Sequence, residues 1–202
     1  PYSSSKACSE LITLSYLNSF FHHESINKKL SNVRSGNIIG GGDWQENRLI
    51  PDCMRAIMYE RKINIRSPEA IRPWQFVLEP IRGYLNLVIE MSENGTEFSG
   101  AWNFGPDESF IYKVREVVER IFECMKANKD LIKYGNPQIS FHETHRLLLD
   151  CSKVRRKIDW KPILNIDEII EMTCDWYQNH EVNYDYNVKQ INNYMEKLKS
   201  IN

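Results

Sequence analysis

The sequence lacks a Gly-rich dinucleotide turn. None of its nine glycines forms a GxGxxG that follows a strand and opens a helix. The pyrophosphate cradle of a dinucleotide cofactor is therefore missing from these 202 residues. Gly40-Gly41-Gly42 is no substitute, because it leads into Asp43-Trp44 and not directly into an apolar helix. The five cysteines, Cys8, Cys53, Cys124, Cys151 and Cys174, contain no CxxC pair, which argues against zinc and thioredoxin-like centres. An odd, dispersed set fits reduced thiols in a cytoplasmic protein. His22 and His23 are adjacent and cannot face one direction on a helix, so they read as surface residues and no metal site is expected. Charge of one sign is not in excess: Lys and Arg total 26, Asp and Glu 27, for a net charge of -1. No basic block suggests nucleic-acid binding, and no acidic tail suggests disorder. No apolar run approaches the ~18 residues of a membrane span, and no secretory leader is recognisable. The first residue is not Met, and the chain opens inside a motif, so a preceding segment is expected.

What remains is a globular composition, 42% hydrophobic and 26% charged, long enough to bury a core. A first helix is expected over residues 2–23, with Ala7, Leu11, Leu14 and Leu17 at helical spacing. Residues 30–39 read as one strand leading into the triple glycine, where backbone can approach a ligand closely. A second helix over 48–60 should turn Ile50, Met54, Ile57 and Met58 inward, with Pro51 in its first turn. Residues 63–65 read as a short strand, and 70–77 as a loop running into a strand. Helices follow at 79–93 and 114–125, the latter with Val117, Val118, Ile121 and Phe122 inward. Between them, 101–106 reads as a buried strand. Further on come a short strand at 139–142, a short helix to Ile158 capped by Asp150, and a strongly periodic helix at 165–180. Residues 183–202 form a polar tail with a weak helical pattern. Strands alternating with helices predict an α/β fold.

Tyr2 and Lys6 stand four residues apart, so a phenol and an ammonium share one helix face. A cation beside a phenol favours the phenolate, which can take a proton from a sugar hydroxyl as a hydride leaves the same carbon. The spacing alone is common on solvated helix faces.

Tyr2-Ser-Ser-Ser-Lys6 resembles the YxxxK signature of the short-chain dehydrogenase/reductase superfamily. Arg34-Ser-Gly-Asn37-Ile-Ile-Gly-Gly-Gly-Asp-Trp44 and Arg48-Leu-Ile-Pro-Asp52 resemble its extended, nucleotide-sugar branch. So do Ile71-Arg72-Pro-Trp-Gln75, Trp102-Asn103-Phe-Gly-Pro106, His142-Glu-Thr-His145 and Trp160-Lys-Pro162. Together these segments resemble the CDP-glucose 4,6-dehydratase family over about residues 1–180. The triple-Gly-Asp-Trp loop and the Arg-Pro-Trp-Gln segment are the most specific parts. Arg146 and Leu148 depart from the family, which more often has an aromatic and a Lys there.

The resemblance implies a partial Rossmann-like parallel sheet at 1–40 and 76–105. It implies a nucleotide-sugar-binding lobe at 41–75 and 106–182, with a polar tail after it. It implies NAD as cofactor and CDP-glucose as substrate, with no nucleic-acid or membrane partner and a homo-oligomeric full-length enzyme. The implied catalytic and cofactor-contacting residues are Tyr2 as base and Lys6 on the nicotinamide ribose. Tyr2 deprotonates the C4 hydroxyl of glucose, water leaves across C5 and C6, and the hydride held meanwhile by NAD returns to C6. The implied substrate contacts are Asn37, Arg48, Arg72, Asn103 and His145. Another epimerase or reductase of the same branch, or a noncatalytic nucleotide-sugar-binding remnant, are the alternative readings. The family's dinucleotide fingerprint lies upstream of YxxxK, so the isolated chain is expected to bind no NAD, to dehydrate nothing and to aggregate along an uncovered sheet edge.

Overall fold

The computed structural model describes residues 1–21, 23, 26–106, 111–135, 145–179 and 184–201. In chain order the helices are α1 (Tyr2–Tyr16), α2 (Leu49–Met58), α3 (Leu78–Glu93), α4 (Val114–Cys124), α5 (Ser152–Ile158), α6 (Ile166–Gln178) and α7 (Tyr184–Ile201). The strands are β1 (Ser31–Ser35), β2 (Asn37–Ile39), β3 (Ile63–Ile65), β4 (Ile71–Arg72), β5 (Trp74–Phe76), β6 (Gly100–Phe104), β7 (Tyr112–Lys113) and β8 (Ile132–Tyr134). The fold is α/β. The strand expected at 139–142 lies outside the described residues.

The chain divides into two units. One comprises Pro1–Ser35, Pro80–Gly105 and Leu149–Lys161. Here β1 and β6 pair in parallel, with Ser31 opposite Gly100 and Ser35 opposite Phe104. Leu87, Phe98, Trp102, Phe104, Cys151, Val154 and Trp160 form its core. Gly83 lets α3 approach β6, since a Cβ there would stand 2.4 Å from the Phe104 ring. Asp150 accepts the Ser152 amide at 2.8 Å, the capping expected from sequence. That hydrogen bond holds the Asp150 carboxyl below its ordinary range. In α1 the expected apolar face is open instead: Leu11 and Leu14 are exposed, and Thr13 is the buried residue. After Tyr16 the helix widens into a π-helical turn, Leu17–Phe21.

The other unit comprises Gly36–Glu79, Pro106–Leu148 and Pro162–Asn202. Parallel pairs β2–β5 and β3–β8 and the antiparallel pair β4–β7 support helices α2, α4, α6 and α7. Its core includes Cys53, Met54, Phe76, Ile169, Ile170 and Tyr194. Val117, Val118, Ile121 and Phe122 join it as their spacing predicts. Asn165 and Glu168 cap α6 reciprocally, each accepting the other's backbone amide. Met58, expected inward, is exposed; Cys53 and Ala56 fill the core side of α2. Residues 30–39, expected as one strand, and 70–77, expected as a loop running into a strand, are each divided. Residues 30–39 break at Gly36 into β1 and β2, which pair with different strands. Residues 70–77 break at Pro73 into β4 and β5, because proline has no N–H for a ladder. Within the polar tail, Tyr184–Ile201 form a helix, α7, with Tyr186, Gln190 and Tyr194 buried.

Glu79 fixes this unit from within. Its carboxylate is fully buried and accepts the amides of Ile163 (2.8 Å) and Leu164 (3.0 Å) and the hydroxyl of Tyr194 (2.8 Å). A buried acid in this setting is stable only when its lone pairs are satisfied. Glu79→Leu leaves the two amides and the phenol without this acceptor, each worth about 1–3 kcal/mol. The expected loss of unfolding free energy in urea is therefore about 3 kcal/mol or more. A loss below about 1 kcal/mol would show that the carboxylate is not the clamp.

Candidate functional site

The two residues of the YxxxK spacing sit in the first turns of α1, both exposed. The Lys6 ammonium lies 5.3 Å from the centre of the Tyr2 ring, so the helix brings phenol and cation together on one face. Ser5 turns its hydroxyl back to the Tyr2 carbonyl at 2.7 Å and leaves that face to Tyr2 and Lys6. In the same unit Asn103, on β6, is half-buried. Its amide donates to the Asp150 carbonyl at 3.0 Å. Its Oδ1 is buried with no partner among the described residues, and a buried acceptor of this kind is ordinarily satisfied.

In the second unit three expected substrate contacts are joined through one ribbon of backbone. The Asn37 amide donates to the Pro73 carbonyl at 2.8 Å, and Asn37 stands opposite Trp74 in the β2–β5 pair. Arg72 immediately precedes Pro73. The residue is buried, and Nη1 donates to the Ile71 carbonyl at 2.8 Å. Ile71 in turn donates its amide to the carbonyl of His145, also at 2.8 Å. Asn37, Arg72 and His145 are thus held within a few residues of one another across three distant stretches of chain. A guanidinium is the side chain best suited to meeting an anion with directed, charge-assisted donors.

Gly36 makes the ribbon possible. A Cβ at this position would stand 2.3 Å from the Pro73 carbonyl oxygen. The sequence offered one cue, a glycine inside a strand pattern, which signals close backbone approach.

Arg48 is placed differently. It caps the start of α2, is exposed, and pairs with Asp43 at 3.0 Å. Asp43 belongs to the loop after the three glycines, and this loop is gripped from α6. A Cβ on Gly41 would lie 2.0 Å from carbons of the Trp176 indole. Gly42 has φ +79°, in the left-handed region that favours glycine. The Tyr177 hydroxyl donates to the Asp43 carbonyl at 2.5 Å, and the Trp44 ring meets Tyr177 edge-on at 5.0 Å. Burial, with the Asp43 charge second, pushes the Tyr177 phenol up to about 12, so it remains a donor at neutral pH. Trp74 is buried and donates its Nε1 to the Tyr112 carbonyl at 3.2 Å, a packing residue. The periodicity that predicts a helix at 165–180 does not show that Trp176 and Tyr177 meet this loop. Their only cue was an aromatic pair at the end of a periodic helix.

A groove of about 700 Å³ between α4 and α6 has a different character. Glu116, Glu119, Glu123, Asp167 and Glu171 line it, and its Arg120 is already paired with Asp167. That field repels a diphosphate.

The model of the family described as "GDP-mannose 4,6 dehydratase" matches residues 1–173. The chain is 38% identical over 181 residues to a CDP-glucose 4,6-dehydratase of Salmonella typhimurium, covering 88% of this chain and 50% of that one. A dTDP-glucose 4,6-dehydratase from Bacillus anthracis, solved in complex with NAD, superposes with a TM-score of 0.70 at 21% identity. The match covers 92% of this chain and 54% of that one. Another, from Streptomyces venezuelae with NAD bound, gives 0.72 at 17% identity, covering 89% and 51%. These solved structures share the fold. The chain spans about half the length of the curated relatives it matches.

The ribbon generates a direct test. In Gly36→Ala the new methyl collides with backbone, which cannot rotate away, and overpacking of this kind costs about 1–3 kcal/mol. The melting temperature should fall by several degrees. An unchanged melting temperature would show that β2 and Pro73 are not in the contact described.

Proposed function

Because the chain belongs to the family described as GDP-mannose 4,6 dehydratase, we propose that it is part of an NAD-dependent hydro-lyase. The enzyme converts CDP-glucose to CDP-4-keto-6-deoxy-glucose. The observation that carries this reading is the Tyr2–Lys6 pair, phenol and ammonium side by side and exposed on α1. The choice of CDP-glucose is supported by the 38% identity to the Salmonella enzyme of that name and by the triple-Gly-Asp-Trp and Arg-Pro-Trp-Gln segments.

Each residue has a role that its setting suits. The Tyr2 oxygen takes the proton from the C4 hydroxyl of the sugar. Lys6, with three donors and no acceptor, holds ribose hydroxyls of the cofactor. The pair fits NAD because both groups are open on the same face. NAD held there by Lys6 and Tyr2 would supply a reversible hydride acceptor. Arg72 binds the diphosphate by charge-assisted hydrogen bonds, and Asn37 meets the substrate beside it. His145 lines the nucleotide pocket. Asn103 offers its unpartnered Oδ1 to a ligand hydroxyl. Arg48, already paired with Asp43, contributes positive charge near the loop. Among the described residues no helix is long and apolar enough to cross a membrane.

Tyr2→Phe in the intact protein separates chemistry from binding. It removes the proton acceptor and should lower turnover of CDP-glucose about 100- to 10,000-fold. Binding of CDP-glucose by calorimetry should stay within about threefold, because nucleotide and diphosphate contacts supply most of the affinity. Turnover within a few-fold of the unaltered protein would rule out Tyr2 as the base.

A further inference from the structure

The family match ends at residue 173, yet the helix beyond it is tied to α6 at nearly every turn. Tyr186 bonds the Asp175 carboxylate, Gln190 donates to the Met172 carbonyl at 2.7 Å, and Lys197 pairs with Glu168. Tyr194 reaches the buried Glu79. Within this set, Asn187 does something different. Its Oδ1 accepts the indole N–H of Trp176 at 2.7 Å. That indole is the surface on which Gly41 rests, with no room for a side chain between them. An indole can rotate about two side-chain bonds, and the bond to Asn187 selects one orientation. The next residue, Tyr177, holds Asp43 and Trp44.

We propose that α7 sets the conformation of loop 40–44 through Asn187 and Trp176, and that these two side chains, with Tyr177, are positioning residues for the sugar nucleotide. The link to the sugar nucleotide rests on the dehydratase reading above; the control of the loop does not. Trp176 and Tyr177 touch the loop, whereas Asn187 acts on it only through the indole. A loop built on three glycines has many conformations to lose. Fixing it in advance lets the nucleotide sugar bind without bearing that entropy. A helix outside the matched region thereby tunes affinity at residues inside it.

The test uses Asn187→Leu, which removes the acceptor, and Asn187→Asp, which keeps an oxygen in its place, both in the intact protein. Amide hydrogen exchange read by mass spectrometry should quicken about three- to tenfold at residues 40–44 in Asn187→Leu, the range for loss of one hydrogen bond. Exchange in α2 and α4 should be unchanged, and Asn187→Asp should match the unaltered protein. KM for CDP-glucose should rise by a similar factor in Asn187→Leu, with kcat within about twofold. Unchanged exchange at 40–44, or an increase spread evenly over the helices, overturns the proposal. A loosened loop with unchanged KM overturns the link to substrate. Absence of any turnover in the unaltered protein counts against the dehydratase reading alone, since exchange still decides whether α7 controls the loop.

Discussion

The candidate site depends on a backbone contact. The Pro73 carbonyl occupies the space in which any side chain at position 36 would stand. Because that residue is glycine, β2 lies against β5, the Asn37 amide reaches Pro73, and Arg72 is carried to its neighbourhood. One further amide, from Ile71 to His145, brings in a third stretch of chain. Polar side chains from three regions are thereby placed by backbone hydrogen bonds, which hold position better than side-chain contacts on a mobile loop. The same proline that ends β4 supplies the carbonyl, so the break in the strand and the gathering of the site have one cause.

A second constraint works inside the core. Glu79 is a carboxylate with no exposed surface, and it is satisfied by two amides and a phenol. Burying such a group is unfavourable unless every partner is in place. It therefore specifies one arrangement of the 163–164 segment and α7 more than it adds stability. Fixing α7 matters because the helix carries Asn187 and, through Trp176, faces the glycine loop. Core and loop are connected by a short series of named contacts.

Much of this was legible in the sequence, and the remainder has physical reasons for being hidden. Periodicity located α4 well because its inward residues, Val117, Val118, Ile121 and Phe122, are all fully buried. Local capping located the start of α5, since Asp150 acts on the amide two residues on, and periodicity located α6. The Tyr2–Lys6 pairing followed from helix geometry alone. The break at Gly36 was not legible, because its cause is a carbonyl 37 residues away in sequence, at Pro73. Helix α7 looked like a tail because its anchoring residues, Tyr186, Asn187, Gln190 and Lys197, are polar or amphipathic and satisfied by other elements. Glu79 gave no signal: an acid before a proline at a helix start is ordinarily a surface residue. Met58 faces solvent because Cys53 and Ala56 take the core side of α2. The helical spacing of Leu11 and Leu14 was read correctly, but spacing cannot say whether a face is covered.

We propose that Arg72, held on the ribbon, binds the diphosphate of a nucleotide sugar, with Asn37 on the same ligand. An experimental structure of the intact protein with CDP-glucose bound tests it most directly. The account predicts the diphosphate oxygens within hydrogen-bonding distance of the Arg72 guanidinium, with Asn37 touching the same ligand. A diphosphate bound by other residues, with Arg72 directed away from it, would contradict the account.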